Sequence, residues 1–174
     1  MFSIQAQFKS DTMAGIWKEI NLGAIKKAET AAQPDHKGPE VLTVFHNRFM
    51  SVFSFHVTLR DWKVLSSTNR YLCANIVSLT EETIATGKIY TFLDVSGRQV
   101  ILPFMYHQSQ GSACIRSVCE TQKMYVSILG QFVPSVHDSF GFKIVVVSGK
   151  IPTRFRWLNW ENYSAIRKAF QITS

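Results

Sequence analysis

The sequence is short of cysteine, of acidic residues and of long apolar runs. Only three cysteines, Cys73, Cys114 and Cys119, occur among 174 residues, and an odd number without a dense framework is typical of reduced thiols. No run approaches the roughly 18 apolar residues of a membrane-spanning helix, so we expect any membrane contact to be peripheral. Residues 1–7 carry no charged stretch leading into an apolar block, so no secretory signal is expected.

Motifs for catalysis and for nucleotide binding are also missing. The patterns Gly-x-Ser-x-Gly and Gly-x-Gly-x-x-Gly and the phosphate loop do not occur. Cys114 and Cys119, with His107 before and His137 after, do not have zinc-knuckle spacing. Because the two cysteines are an odd number of residues apart, they would point to opposite faces of a strand. We therefore predict a non-enzymatic protein with structural thiols, no metal and no cofactor.

Apolar and aromatic residues are plentiful. Apolar residues make up 46% of the chain, and the aromatic residues are 13 Phe, 4 Trp and 5 Tyr. This composition excludes a disordered chain and favours a β-rich core. We predict an α+β fold, a mostly antiparallel β-sheet with an N-terminal amphipathic helix and a C-terminal helix. The predicted organisation is an arm at 1–29, a flexible linker at 30–40 and a core domain at 41–174.

Two helices are predicted from apolar spacing. The first begins near Asp11 and has apolar residues at three- and four-residue steps, namely Met13, Ile16, Trp17, Ile20, Ala24 and Ala28. The second opens at Asn159, and its apolar side is formed by Trp160, Tyr163, Ile166 and Phe170. Glu161 in the first turn and Arg167 and Lys168 near the end suit the helix dipole.

Strands are predicted from two-residue alternation. Phe53, Phe55, Val57 and Leu59 alternate with polar residues, which predicts a strand with one buried face. Tyr71–Leu79 also favours a strand, although it could instead start a helix. Pro103 has no N–H to donate and predicts an edge or a bulge. The remaining predicted strands are Lys88–Val95, Gln99–Tyr106, Ala113–Cys119, Met124–Leu129, Phe142–Val147 and Thr153–Leu158.

Positive charge is concentrated in the final quarter of the chain. The formal net charge is +7, and residues 131–174 carry six basic and two acidic side chains. On a strand, Arg154 and Arg156 would share one face, with Phe155 and Trp157 on the other. This arrangement predicts a basic stripe for phosphates of lipid or nucleic acid, the alternative being an ordinary soluble surface. The predicted contact residues are Lys143, Lys150, Arg154, Arg156, Arg167 and Lys168.

Self-association is the second surface property that we predict. Within the apolar stretch 45–53, Met50 and Val52 would face away from the side on which Phe53 lies. Exposed there with Phe45, they would suit self-association or insertion into a membrane interface. The other predicted self-association residues are Ile16, Trp17 and Ile20 of the N-terminal helix. The favoured alternative is a strand that is buried on both faces.

The order of these segments resembles the matrix proteins of rhabdoviruses, in particular the plant-infecting, cytorhabdovirus-like members. The matching parts are the aromatic strand at Ser51–Arg60, the strand at Gly87–Asp94, the segment Phe140–Gly149 and the segment Thr153–Leu158 before an end helix. The resemblance spans about residues 41–171. It is a likeness of layout, carried by a small basic chain with a flexible N-terminal part.

The resemblance implies a structural protein of the virion. Such proteins self-associate, condense the viral nucleocapsid and link it to the anionic membrane and to the viral glycoprotein, in the host cytoplasm and at the host membrane periphery. Two family features are absent. Pro34 and Pro39 are isolated, so no proline-rich budding motif is formed, and no lysine-dense tail precedes the core. The C-terminal basic stripe would therefore have to supply membrane attachment.

Two alternatives from other functional classes stay open. The first is a viral or cellular RNA-binding accessory protein, such as a silencing suppressor or a transport factor, which would use the same basic stripe. The second is a small enzyme. An enzyme would need a pocket that joins a carboxylate to one of the histidines His46, His56 and His107.

Overall fold

The computed structural model describes residues 23–27, 38–108, 111–130, 139–148 and 151–173. The chain divides into two compact units, residues 1–34 and residues 35–174. The predicted division into arm, linker and core has no independent test in this structure and stays a prediction.

In the first unit, the described residues 23–27 are helical. Ile25 is buried, whereas Ala24, which the spacing places on the apolar stripe, is exposed. The rest of the predicted N-terminal helix lies outside the described residues, including the predicted self-association residues Ile16, Trp17 and Ile20.

The second unit contains two five-stranded antiparallel sheets, which confirms the prediction of a mostly antiparallel β fold. The first sheet has the order β1-β2-β10-β5-β6 and the second has the order β3-β4-β9-β8-β7. The strands are β1 (Leu42–His46), β2 (Met50–Thr58), β3 (Lys63–Ser66), β4 (Asn69–Asn75), β5 (Lys88–Val95), β6 (Arg98–Ile101), β7 (Phe104–Gln108), β8 (Gly111–Glu120), β9 (Lys123–Gly130) and β10 (Ser139–Val147).

The main core lies between the two sheets. Phe53, Phe55 and Val57 of β2 point into it, as their alternation predicts, and the second sheet contributes Leu72 and Val126 from β4 and β9. Leu59 ends this alternation in a 3-10 turn at Leu59–Asp61 instead of extending the strand. Burial of apolar side chains from both inner faces is the main force that holds the two sheets together.

The chain changes sheets at Leu102 and Pro103, between β6 and β7. The predicted single strand Gln99–Tyr106 is therefore wrong, because β6 pairs with β5 in the first sheet and β7 pairs with β8 in the second. The peptide bond between Leu102 and Pro103 is cis. Proline has no N–H with which to continue a ladder, which explains the break at this position.

Helix α1 (Glu81–Thr86) follows β4 after a short connection. Its N-cap is Thr80, whose side chain accepts a hydrogen bond from the Thr83 N–H at 3.1 Å. The strand interpretation of Tyr71–Leu79 is correct as far as Asn75, where β4 ends. After Asn75 the chain makes a turn at Val77 and Ser78, and Thr80 then caps α1.

Helix α2 (Tyr163–Phe170) covers the outer face of the first sheet and confirms the predicted C-terminal helix. The predicted start at Asn159 is wrong, because Asn162 is the residue that caps the helix, and Glu161 therefore precedes its first turn. Asn162 caps it by accepting a hydrogen bond from the Ala165 N–H at 3.1 Å. A second apolar cluster joins Tyr163 and Ile166 of α2 to the first sheet. The resulting layers are the helix, the first sheet and the second sheet. None of the helices in the described ranges is long and apolar enough to cross a bilayer.

The prediction that Met50 and Val52 form a self-association surface is wrong. Both side chains point away from the inter-sheet core, as their parity predicts, but both are 0% exposed. They lie in the cluster beneath α2, because the amphipathic helix needs an apolar partner and this face of β2 supplies it. The favoured alternative, a strand buried on both faces, is correct for the first part of β2.

Candidate anion-binding cleft

An open cleft with a volume of 710 Å³ lies where β2 begins and β10 ends. Val147 pairs with Met50 in the ladder, and the N–H of the next residue, Ser148, donates to the carbonyl of Phe49 at 2.9 Å. These bonds join the two segments on either side of the opening. We call it the basic cleft, and its lining consists of Arg48, Phe49, Ser148, Ile151, Pro152, Thr153 and Arg156.

Arg48 is placed by the turn between β1 and β2. Asn47 holds this turn, because its Oδ1 accepts hydrogen bonds from the backbone N–H groups of Phe49 at 3.0 Å and of Met50 at 2.9 Å. The Asn47 N–H in turn donates to the Met50 carbonyl at 2.9 Å. An asparagine that bonds its own turn in this way fixes the backbone that carries Arg48. The Arg48 side chain is exposed.

Arg154 and Arg156 lie on the other side, on a segment for which the prediction was wrong. Thr153–Leu158 is not a strand; it contains a 3-10 turn at Thr153–Phe155 followed by a second turn. The Phe155 N–H donates to the Pro152 carbonyl at 2.9 Å, and the Arg156 N–H donates to the Thr153 carbonyl at 3.1 Å. Proline ahead of the turn presets its first backbone angle and favours this local pairing over a ladder.

Phe155 anchors this turn to the body of the domain. Its ring centroid lies 4.3 Å from that of Phe170 on α2 and 6.0 Å from that of Phe49. The Arg154 guanidinium carbon lies 4.7 Å from the centroid of the Phe155 ring, within cation–π range. These aromatic contacts hold the turn that carries Arg154 and Arg156 against the rest of the domain.

The chemistry of the basic cleft favours an anion. Arg48 and Arg156 bring two guanidinium groups, Ser148 and Thr153 bring two hydroxyls, and no carboxylate is among its described lining residues. A guanidinium stays charged at any physiological pH and offers a planar fork of donors that matches a phosphate or a carboxylate. The arrangement can therefore bind an oxyanion without any covalent chemistry.

Trp157, next to Arg156, is 95% exposed. The prediction that it points inward with Phe155 is wrong, because the residues form turns and the two-residue alternation of a strand does not apply. A fully exposed indole beside two arginines is rare on the surface of a monomer, since tryptophan is usually largely buried.

The other predicted cationic contacts are spread over the domain. Lys143 lies on β10, half-buried, and faces the side of the first sheet to which Val145 and Val147 point. Arg167 and Lys168 occupy the last turn of α2, where the Arg167 Nε donates to the Ile172 carbonyl at 3.2 Å. Lys150 lies outside the described residues. The structure thus places Arg156 in a cleft with Arg48, which the sequence analysis missed because the two are distant along the chain.

The cysteines lie as the strand parity predicts. Cys119 packs against the inter-sheet core, with its Sγ 3.6 Å from the Met124 Sδ, whereas Cys114 lies on the opposite face of β8. Burial raises the pKa of the Cys114 thiol, although nearby Arg116 opposes the shift. Burial also lowers the pKa of Arg116, whose Nε donates to the Ser127 Oγ at 3.3 Å. No group of three His, Cys, Asp or Glu residues that could hold a metal occurs in the described ranges.

None of the three histidines of the enzyme alternative is among the described lining residues of the basic cleft. The His46 Nδ1 is 2.8 Å from the Ser51 Oγ in the first sheet, and the His107 Nδ1 is 2.7 Å from the Ser112 Oγ in the second. His56 is exposed on β2. These are histidine–serine pairs, the first of them partly buried, and no carboxylate is hydrogen-bonded to either described pair.

A second opening, with a volume of 460 Å³, lies beside α1 and the turn between β8 and β9. We call it the acidic cleft, and its lining consists of Glu81, Ile84, Ala85, Glu120 and Thr121. It combines an apolar wall from the helix with two carboxylates and contains no basic residue in its described lining. Its polarity is the reverse of that of the basic cleft.

Comparison of the chain with protein-family models, with curated proteins and with solved structures gives no match. The residues of the two clefts and the resemblance in sequence layout are therefore the features that bear on function.

Proposed function

We propose that the protein is a non-enzymatic viral matrix protein that self-associates, condenses the nucleocapsid and links it to the anionic membrane envelope. The observation that carries the proposal is the basic cleft, whose described lining includes Arg48, Arg156 and two hydroxyl side chains but no carboxylate. The resemblance to rhabdovirus matrix proteins supplies the assembly context. In that context its partners are further copies of itself, the nucleocapsid, the anionic membrane surface and the viral glycoprotein.

The basic cleft suits attachment to a phosphate-bearing surface. Arginine forks bind phosphate through paired, charge-assisted hydrogen bonds, and the Ser148 and Thr153 hydroxyls can donate further ones. Arg154, exposed on the same turn, adds charge next to the cleft. Contacts of this kind are individually weak and are screened by salt, with a Debye length of about 8 Å at physiological ionic strength. Attachment is therefore peripheral and reversible, and it gains strength when many copies bind together.

A charge-reversal experiment tests this role. We would measure flotation with vesicles of phosphatidylcholine, with and without phosphatidylserine, at several salt concentrations. Wild type should bind the anionic vesicles at low salt, and Arg48→Glu/Arg156→Glu should lose most of that binding. The matched control is Arg60→Glu/Arg98→Glu, which changes the net charge equally at exposed sites.

The control lies far from the basic cleft. β2 begins at Met50 beside the cleft and ends at Thr58, shortly before Arg60, and Arg98 follows the far end of β5. A nine-residue strand spans about 27 Å. Equal loss of vesicle binding in the two double variants would show that net charge alone drives attachment. Failure of wild type to bind anionic vesicles at low salt would refute the membrane role.

A second candidate function is that of a basic RNA-binding accessory protein. The observation that favours it is the exposed Trp157 beside Arg154 and Arg156, since an indole can stack on an unpaired base while arginines contact the backbone. Titration with single-stranded RNA at several salt concentrations distinguishes the accessory protein from the matrix protein. Tight RNA binding by a stable monomer or dimer that ignores vesicles would favour the accessory protein.

A further inference from the structure

Trp157 lies on an ordered turn of the backbone, and its side chain is 95% exposed. The turn that bears it is closed on both sides, because the Arg156 N–H donates to the Thr153 carbonyl and the Leu158 N–H donates to the Phe155 carbonyl, each at 3.1 Å. The ring of Phe155 packs against the ring of Phe170. The indole is therefore presented on an ordered backbone, between the exposed side chains of Arg154 and Arg156 on one side and Leu158 on the other.

The acidic cleft is opposite in charge to this turn and has an apolar wall. Its volume of 460 Å³ falls within the range of about 300–1,000 Å³ of openings that accept small-molecule rings. Ile84 and Ala85 give it an apolar wall, and the exposed Glu81 gives it negative charge. α1 is fixed in place by its Thr80 cap and by its packing on the core through Ile84.

We infer that Trp157 of one copy inserts into the acidic cleft of a second copy, where Arg154 and Arg156 face Glu81. This inference rests on the self-association in the proposed function and gives it a surface, now that Met50 and Val52 are known to be buried. Tryptophan and arginine are the residues that most often dominate the binding energy of protein interfaces. Opposite charges around the inserted ring fix the orientation of the two copies.

The basic cleft and the helix that lines the acidic cleft both approach the end of β10. Ser148 lines the basic cleft one residue after Val147, and a Cβ added at Gly87 would lie 2.6 Å from the Val147 carbonyl oxygen. The end of β10 therefore lies next to both the basic cleft and the end of α1.

Each copy carries one Trp157 and one acidic cleft, so contacts either close reciprocally as a two-fold dimer or continue from copy to copy.

The first test removes the indole. Sedimentation of the full chain over a range of concentrations should show oligomers for wild type, and Trp157→Ala should raise the dissociation constant by about 30-fold, the size expected for a hot-spot residue. The matched control is Val77→Ala, which truncates another apolar side chain that is 78% exposed. Its oligomers should be unchanged.

The second test blocks and then re-engineers the acidic cleft. Ala85→Trp fills the cleft from an exposed helix position and should abolish the oligomers, whereas Ala169→Trp, at an exposed position of α2, should not. Arg154→Glu should weaken association, and adding Glu81→Lys should restore it. Arg154 is chosen because Arg156 also lines the basic cleft.

Three results would overturn the inference. They are a wild type that stays monomeric at high concentration, oligomers that persist unchanged in both Trp157→Ala and Ala85→Trp, and quenching of Trp157 by brominated lipids with self-association intact in Trp157→Ala. The last result would place Trp157 in the bilayer interface. Vesicle binding that depends on Arg48 and Arg156 is measured separately, so loss of this inference leaves the proposed membrane role standing.

Discussion

The ring centroids of Phe155 and Phe170 lie 4.3 Å apart, and this contact joins the turn that carries the arginines to the C-terminal helix. Phe170 also approaches Phe45, Phe49 and Trp160, at centroid distances of 6.1, 5.8 and 5.9 Å. The cluster therefore links β1, the turn after it, the 3-10 segment and α2. Aromatic pairs in such arrangements add stability beyond the area that they bury.

Removal of the Phe155 ring should therefore loosen the basic cleft as well as destabilise the fold. For the half-buried Phe155→Ala we expect a loss of about 2 kcal/mol in the free energy of unfolding, below the value of about 3–5 kcal/mol for a fully buried phenylalanine. Denaturant unfolding measures this loss, and vesicle flotation should show weaker binding. Phe155→Leu, which keeps most of the apolar volume, should retain both properties. Vesicle binding that is unchanged in Phe155→Ala would show that the cleft does not need this anchor.

Asn47 should stabilise the fold through its carboxamide oxygen. Asn47→Ala removes the acceptor of two backbone N–H groups and should lower the free energy of unfolding by about 1–2 kcal/mol. Asn47→Asp keeps an oxygen acceptor at the same place and should stay within about 0.5 kcal/mol of wild type. Both values come from denaturant unfolding. An equal loss in the two variants would mean that the side-chain oxygen does not hold this turn.

The burial of Met50 can be tested against an exposed methionine. Met50→Ala should cost about 2–5 kcal/mol, because it opens a cavity beneath α2. The matched substitution Met105→Ala is at a residue that is half exposed on β7 and should cost no more than about 0.5 kcal/mol. Chemical denaturation of the two variants gives both values. Similar small losses would contradict the packing of α2 on the first sheet.

Stability at alkaline pH should depend on Tyr163. Burial raises the pKa of its phenol, although Arg167 opposes the shift, so the folded state holds this proton more tightly than the unfolded state does. The resulting stabilisation is complete below the unfolded pKa of about 10 and is lost as the pH rises through the folded pKa. Wild type should therefore lose stability relative to Tyr163→Phe above about pH 10.

The comparison needs unfolding curves for both proteins at pH 8, 10 and 11. Tyr90, whose pKa is also raised, first by burial and then by Glu161, is present in both proteins and cancels from the difference. If the difference in the free energy of unfolding between wild type and Tyr163→Phe stayed constant over this pH range, a raised pKa at Tyr163 would be contradicted.

Local patterns predicted several elements well. β5 has the predicted bounds, β8, β9 and β10 extend the predicted strands by a few residues, and α2 carries Tyr163 and Ile166 on its buried side. In each case the alternation or the helical spacing reports which side chains must leave water, and that requirement is the same in any tertiary setting. The error at Thr153–Leu158 arose because two apolar residues alternating with two arginines fit a strand as well as they fit a pair of turns.

The sequence by itself determined that the chain would form an antiparallel β core with a C-terminal amphipathic helix and an excess of positive charge, because these properties follow from composition and from short-range periodicity. Only the tertiary structure decided that α2 would lie over Met50 and Val52, that Trp157 would be left exposed, and that Arg48 and Arg156 would line one cleft. More than a hundred residues separate those two arginines along the chain. Their proximity depends on the pairing of β2 with β10, and strand order in a sheet is set by the packing of the whole domain, which no local pattern encodes.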